Sequence, residues 1–267
     1  MHTPQPLRTC AFRRLIACAA AAWLGLAAGA ASAQTLKVLT AGAFKQVVVA
    51  LLPALEAKTG MKIEVSNDTA GALARKVRAG EPFDVLVLPP GGLAPLGQEG
   101  HVNAASIRPV ARVGIGVAVK AGSPRPALET VEQFKQAVLQ ARRVAYIDPA
   151  AGGSSGIYLS GLFDRLGVAA EVRAKAVLVP GGLVAERLVS GEADLAIHQI
   201  SEILPVQGAD LVGPLPESIQ NYTTYAAGVA AKSRSPELEA AARALVQALA
   251  GAEAAQVIRA KGMMPAP

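Results

Sequence analysis

Four turns carry only small or turn-forming residues between an apolar strand pattern and a helical one: Thr40-Ala41-Gly42-Ala43, Asp68-Thr69-Ala70-Gly71, Gly153-Ser154-Ser155-Gly156 and Pro180-Gly181-Gly182. Each opens a helix whose first N–H groups lack intrahelical partners, and small side chains let a ligand reach them. The chemistry such turns support is anion binding by neutral donors and helix dipoles, without a buried cation. One turn of this kind would be ordinary capping by Ser, Thr or Asp. Four at the same end of successive strands favour a ligand site, because open α/β sheets bind at their carboxyl ends.

Gly152-Gly153-Ser154-Ser155-Gly156 also fits the G-x-S-x-G nucleophile pattern and lies between a strand and a helix. A hydrolase would need an acid and a histidine from separate later elements. Only His198 follows Ser154, and it stands four residues after Asp194 on the same short strand. The run therefore reads as a glycine-rich binding turn, serine hydrolysis through Ser154 is the alternative, and the chain is expected not to be an enzyme. His198 reads as the polar end of a buried strand, able to donate to a bound carboxylate. Neither it nor His101 has a second ligand at metal spacing, so no metal is expected. Arg75, Lys76 and Arg78 read as a solvated helix face, Asp84 as a structural acceptor, and Asp68 as pointing away from any bound anion.

The elements that must hold these turns alternate along the chain. Strands are expected over 36–39, 62–65 and 84–88, with a helical stretch over 43–58 broken by Pro53, a helix over 70–78 and a Pro- and Gly-rich loop over 89–100. After a long strand at 112–120 the pattern restarts, with helices over 128–140, 157–166 and 183–190 and strands over 144–147, 174–179 and 194–198. A second long strand, 223–231, precedes a C-terminal helical segment over 236–260. This alternation indicates βαβ units and parallel sheets covered on both faces. The two long strands are where the chain would pass between lobes, one of residues 34–115 with 226–267 and one of 116–225. A cleft between such lobes is where a small ligand would sit.

Residues 1–33 run from a basic start with Arg8, Arg13 and Arg14 through an apolar stretch to Ala31-Ser32-Ala33. That order predicts a secretory signal peptide cut after Ala33 and a periplasmic location. The remaining 234 residues hold neither Cys10 nor Cys18, and 23 basic residues against 20 acidic ones leave a net charge of +3. No disulfide, thiol nucleophile or cysteine metal site is then available. Scattered cations and few aromatics argue against nucleic acid.

Several stretches resemble the periplasmic molybdate-binding family of bacterial ABC importers, within the type II solute-binding proteins. They are Val38 to Phe44, Ala70 to Val77, Gly80-Glu81-Pro82-Phe83-Asp84-Val85, Ser155-Gly156-Ile157-Tyr158 and the closing Gly251 to Ile258. The resemblance implies a two-lobed type II periplasmic binding fold, each lobe a mainly parallel sheet flanked by helices, joined by two crossover strands. It also implies a cofactor-free monomer that takes a small anion to a membrane permease, or senses it for a membrane partner. The candidate ligand-binding residues are Thr40, Ala43, Phe44, Thr69, Ala70, Gly71, Ser154, Ser155, Gly156, Tyr158, Gly181, Gly182 and Gln199. The family's oxyanion-binding serines at the first two helix starts are matched here by Ala43 and Ala70, and the tyrosine closing the last strand of the second lobe by His198-Gln199. The ligand is accordingly expected to be a molybdate-like oxyanion or a small organic carboxylate, the latter favoured by a larger, less polar pocket.

Overall fold

Short apolar runs bounded by glycine and hydroxyl-rich turns fold as strands, and the amphipathic stretches between them as helices that cover the sheet. The computed structural model describes His2 and residues 34–266. The expected export segment, His2 apart, lies outside the described residues. In chain order the elements are β1 (Thr35–Ala41), α1 (Gly42–Thr59), β2 (Lys62–Asp68), α2 (Ala70–Arg78), β3 (Val85–Leu88), α3 (Pro90–Gln98), β4 (Arg108–Lys120) and α4 (Val131–Gln140). They continue with β5 (Val144–Ile147), α5 (Ser154–Arg165), α6 (Ala169–Ala174), β6 (Ala176–Val179), α7 (Glu186–Val189), β7 (Leu195–Gln199), α8 (Ile200–Ile203) and β8 (Ala209–Pro214). The last are β9 (Tyr222–Val229), α9 (Pro236–Leu249), α10 (Ala252–Ala260) and β10 (Met264–Pro265).

The strands form one mixed sheet in the order β2-β1-β3-β9-β4-β7-β5-β6, with β8 and β10 also paired to β4. β1 runs parallel to β2 and β3, and β5 parallel to β6 and β7. The two parallel groups are joined through β4, whose first half pairs antiparallel with β9 as far as Gly114, opposite Tyr222. From Ile115, opposite Gln199, the same strand pairs with β7 instead. At this change of partner Gln220 accepts from the Ile115 N–H at 2.8 Å and donates to its C=O at 2.9 Å. Both polar groups of a buried backbone position are thereby satisfied. One apolar core draws on residues 36–113 and 225–263, and two others on residues 115–215.

Three differences from the sequence expectations have clear causes. The loop expected over 89–100 contains α3, started by Pro90 at a first-turn position and anchored by the fully buried Leu93 and Leu96, three residues apart. α1 runs unbroken through Pro53, which lies on the exposed side of the helix, where water can take the freed carbonyl. The C-terminal helical stretch divides at Gly251 into α9 and α10. No helix among the described residues is long and apolar enough to cross a membrane.

Asp84, 2 % exposed, ties the start of β3 to both neighbours. Its carboxylate accepts from Lys37 N–H at 2.7 Å and pairs with the Arg234 guanidinium at 2.5 Å. Removing it would leave the Lys37 N–H without its acceptor and Arg234 with the Thr35 carbonyl but no carboxylate. Asp84→Ala is expected to lower unfolding stability by about 2–4 kcal/mol, the upper end being tempered by the half-exposed arginine. A urea melt checks this, and an unshifted midpoint would show that water replaces the carboxylate.

Candidate functional site

The carboxyl ends of the parallel strands converge on one cavity. β1 delivers Ala41 and leads into Gly42 and Ala43, β2 delivers Asn67 and Asp68 and leads into Thr69 and Ala70, and β5 ends at Ile147 ahead of Gly153, Ser154 and Ser155. β7 adds His198 and Gln199, α8 adds Glu202, β9 adds Tyr225, and Gly182 completes the lining. No Lys or Arg is among these residues. The starts of α1 and α5 have Ala41 and Gly153 as N-caps, and neither supplies a side-chain cap. Thr69, by contrast, caps α2 by accepting from Ala72 N–H at 3.2 Å. Anion-binding capacity therefore concentrates at α1 and α5.

Of the candidates read from sequence, Ala43, Thr69, Ala70, Ser154, Ser155, Gly182 and Gln199 lie in this lining. The other six do not. Thr40 is fully buried and donates to Ala41 C=O at 3.1 Å, while Phe44 sits in the core, stacked on Tyr225 with ring centroids 6.5 Å apart. Tyr158 donates to Ile219 C=O at 2.8 Å, a structural bond away from the cavity. Gly156 packs against the backbone of Ile147 so closely that a Cβ would collide with its carbonyl oxygen. Gly71 packs on Gly152, and Gly181 stands beside Asp68 and Thr69. Asp68 does line the cavity, yet its carboxylate is engaged by Lys76 at 2.8 Å and by Thr69 N–H at 2.8 Å.

The two sides of the cleft meet directly over the cavity. Gly71 N–H donates to Gly152 C=O at 3.0 Å, and Thr69 Oγ1 donates to Ala151 C=O at 2.6 Å.

Chemistry is concentrated at the end of β7. His198 Nε2 stands 3.3 Å from Glu202 Oε2, with side chains 2 % and 10 % exposed. Burial pushes the Glu202 carboxyl up to about 8 and the His198 imidazole down to about 3, since desolvation favours the neutral form of each. Burial, then the neighbouring Glu202 charge, also raises the Tyr225 hydroxyl, against a lowering hydrogen bond with Ser154. Gln199 Nε2 donates to Thr223 Oγ1 at 3.0 Å and reaches the Tyr225 hydroxyl at 3.5 Å. His198 Nδ1 and Gln199 Oε1 are buried without partners. Each such orphan costs about 1–3 kcal/mol, which a ligand in the cavity can recover.

Sequence reasoning missed Glu202 and Tyr225. The available signal was a histidine and a glutamate four residues apart in the otherwise largely apolar run from Leu195 to Ile203. A triad of Ser154, His198 and Asp194 is not assembled, because Asp194 at the far end of β7 accepts from the backbone N–H groups of Arg142 at 3.0 Å and Arg143 at 2.7 Å. Among the described residues no cluster of His, Cys, Asp and Glu could hold a metal ion.

Residues 36–264 match the family described as bacterial extracellular solute-binding protein. A relative from Pseudomonas sp. named aconitate isomerase is 36 % identical over 239 residues, covering 87 % of this chain and 88 % of the relative. The periplasmic molybdate-binding protein of Azotobacter vinelandii superposes with a TM-score of 0.73 at 20 % identity, over 87 % of this chain and 99 % of that one. The sulfate-binding protein SubI of Mycobacterium tuberculosis superposes at 0.67 with 17 % identity, over 87 % of each chain. The fold is that of the type II periplasmic binding proteins, and the molybdate-binding-like resemblance holds. The expectation of a chain without enzymatic activity is overturned by the aconitate isomerase relative. That expectation weighed a serine nucleophile and a metal site, and overlooked a buried acid–base pair that needs neither.

Proposed function

We propose that this chain, a member of the bacterial extracellular solute-binding protein family, holds a solute in its cleft and isomerises it, interconverting cis- and trans-aconitate. The observation that carries this reading is the Glu202–His198 pair in the wall of a cavity whose uncapped helix starts and hydroxyls suit anions.

Aconitate carries three carboxylates on a propene skeleton, and its CH2 protons are activated both by the adjacent carboxylate and by the alkene. Carboxylates held at the uncapped starts of α1 and α5 would place that CH2 against Glu202. The ionised Glu202 takes one proton, and the electron pair spreads over the three-carbon unit into the flanking carboxylate. The N–H groups of the helix starts and the hydroxyls of Ser154, Ser155 and Tyr225 meet the developing charge. Returning the proton to the opposite terminal carbon moves the double bond by one position, and the orientation of the arm sets the geometry of the product. One proton leaves and one returns, with no oxidant or reductant. Addition of a thiol followed by rotation, another route for alkene isomerisation, is closed to residues 34–267, which contain no cysteine.

Glu202 acts as a base only when ionised. With its carboxyl pushed up to about 8, kcat/KM should rise about tenfold from pH 7 to pH 9, while His198, down to about 3, stays neutral throughout. Incubating the protein with cis-aconitate in D2O tests the reading by NMR. Trans-aconitate carrying deuterium on the carbon that gains the proton supports it. No product and no exchange would overturn it.

The helix-start cradle, free of lysine and arginine, also favours a second reading. An exported, monomeric receptor would bind a small carboxylate or molybdate-like oxyanion in the periplasm and pass it to an ABC permease. Either activity would use the two lobes, residues 34–115 with 226–267 and residues 116–225, closing on a ligand that binds the closed state better than the open one. Binding of aconitate without turnover would select the receptor.

A further inference from the structure

Glu202 belongs to α8, a single turn of helix, yet its carboxyl is fixed against an element from the other side of the cleft. Its Oε2 is engaged by His198, and its Oε1 lies where a Cβ on Gly42 would be, so any side chain at position 42 would displace it. The preceding residue, Ser201, is 1 % exposed and donates to Ala43 C=O in the first turn of α1 at 2.8 Å. Thus Ser201 and Glu202 both touch the opening turn of an 18-residue helix that has no side-chain cap. The titratable groups facing Glu202 are His198 from β7, Tyr225 from β9 and Asp68 from β2, the last already paired with Lys76. None of the three is a cation at neutral pH, so the partial positive charge of α1 is the favourable field available to the carboxylate.

We propose that Gly42 and Ser201 are the positioning residues of the acid–base centre: Ser201 hooks α8 onto α1, and the bare Gly42 lets the Glu202 carboxyl settle at the amino end of that helix. The geometry sets the carboxyl in the positive field of the helix end, which opposes desolvation, so that the base can ionise within the physiological range. Its catalytic consequence rests on the isomerase reading; its electrostatic consequence does not.

The test compares wild type with Gly42→Ala, Ser201→Ala and Ser201→Thr in two measurements. The first is the pH profile of kcat and KM with cis-aconitate. The second is the titration of Glu202 by carbon NMR of carboxyl-labelled glutamate without substrate, assigned with Glu202→Gln. Gly42→Ala is expected to lower kcat at pH 7 about 10- to 100-fold with a smaller change in KM, and to raise the Glu202 midpoint by about one pH unit. Ser201→Ala should move both in the same direction by less, and Ser201→Thr, which keeps the hydroxyl, should restore them. A midpoint unmoved in both alanine variants, with only thermal stability lowered, would reduce these residues to packing and overturn the proposal. A wild type that never turns over aconitate, but whose Glu202 midpoint still shifts in the variants, would uphold the positioning and remove the isomerase reading.

Discussion

Glu202→Gln is expected to fold normally, to bind trans-aconitate, and to lose about 10²- to 10⁴-fold in turnover. The substitution preserves shape, and at neutral pH the buried carboxyl, pushed up to about 8, is already mostly uncharged. The amide can still pair with His198 and rest over Gly42, so binding and thermal stability should be largely retained. What it cannot do is accept the proton from the substrate CH2. Steady-state kinetics together with calorimetric binding of trans-aconitate separates these outcomes. Turnover within about threefold of wild type would remove Glu202 as the base. Loss of binding along with turnover would instead assign it to holding the ligand.

The fold was readable because its determinants are local. Strands such as Val144–Ile147 are short, wholly apolar, preceded by charged Arg142-Arg143 and stopped by Asp148-Pro149, so period and punctuation agree. α3 was hidden because Pro90, Gly91, Gly92 and Pro95 resemble a loop, and only the burial of Leu93 and Leu96 against neighbours distant in sequence makes a helix there. β8 was hidden for the converse reason, since its residues are nearly all half-buried and show no alternation.

In the candidate site, the backbone-based part was legible and the side-chain chemistry was not. Small residues after β1, β2 and β5 announce uncapped or lightly capped helix starts whatever the tertiary structure. Thr69 and Tyr158 look like donors to a ligand, but their protons go to Ala151 and Ile219, 82 and 61 residues away along the chain. Glu202 presents the reverse case. A glutamate after a strand ordinarily reads as surface, and its burial arises because α8 packs between β4 and the first turn of α1.

The contact that closes the cleft yields the second large expected effect. Gly71 is the second residue of α2, in its first turn, where the preference for alanine is smaller than the roughly 1 kcal/mol of a helix interior, so Gly71→Ala should leave the ligand-free protein about as stable as wild type. In the closed arrangement, however, the new Cβ would meet Gly152 Cα at 2.9 Å and its carbonyl oxygen at 3.2 Å. These are backbone atoms and cannot swing aside, so the two sides must part, stretching the Gly71–Gly152 and Thr69–Ala151 hydrogen bonds. At about 0.5–1.5 kcal/mol for each bond, affinity for trans-aconitate should fall roughly 10- to 100-fold. Gly152→Ala would be a poorer probe, because φ of +81° strains any side chain there regardless of closure. Calorimetric affinity with a parallel thermal melt decides the matter. Weaker binding at undiminished ligand-free stability would show that ligand affinity depends on closure at this point, whereas unchanged affinity would mean that the ligand is held without the two glycines coming together.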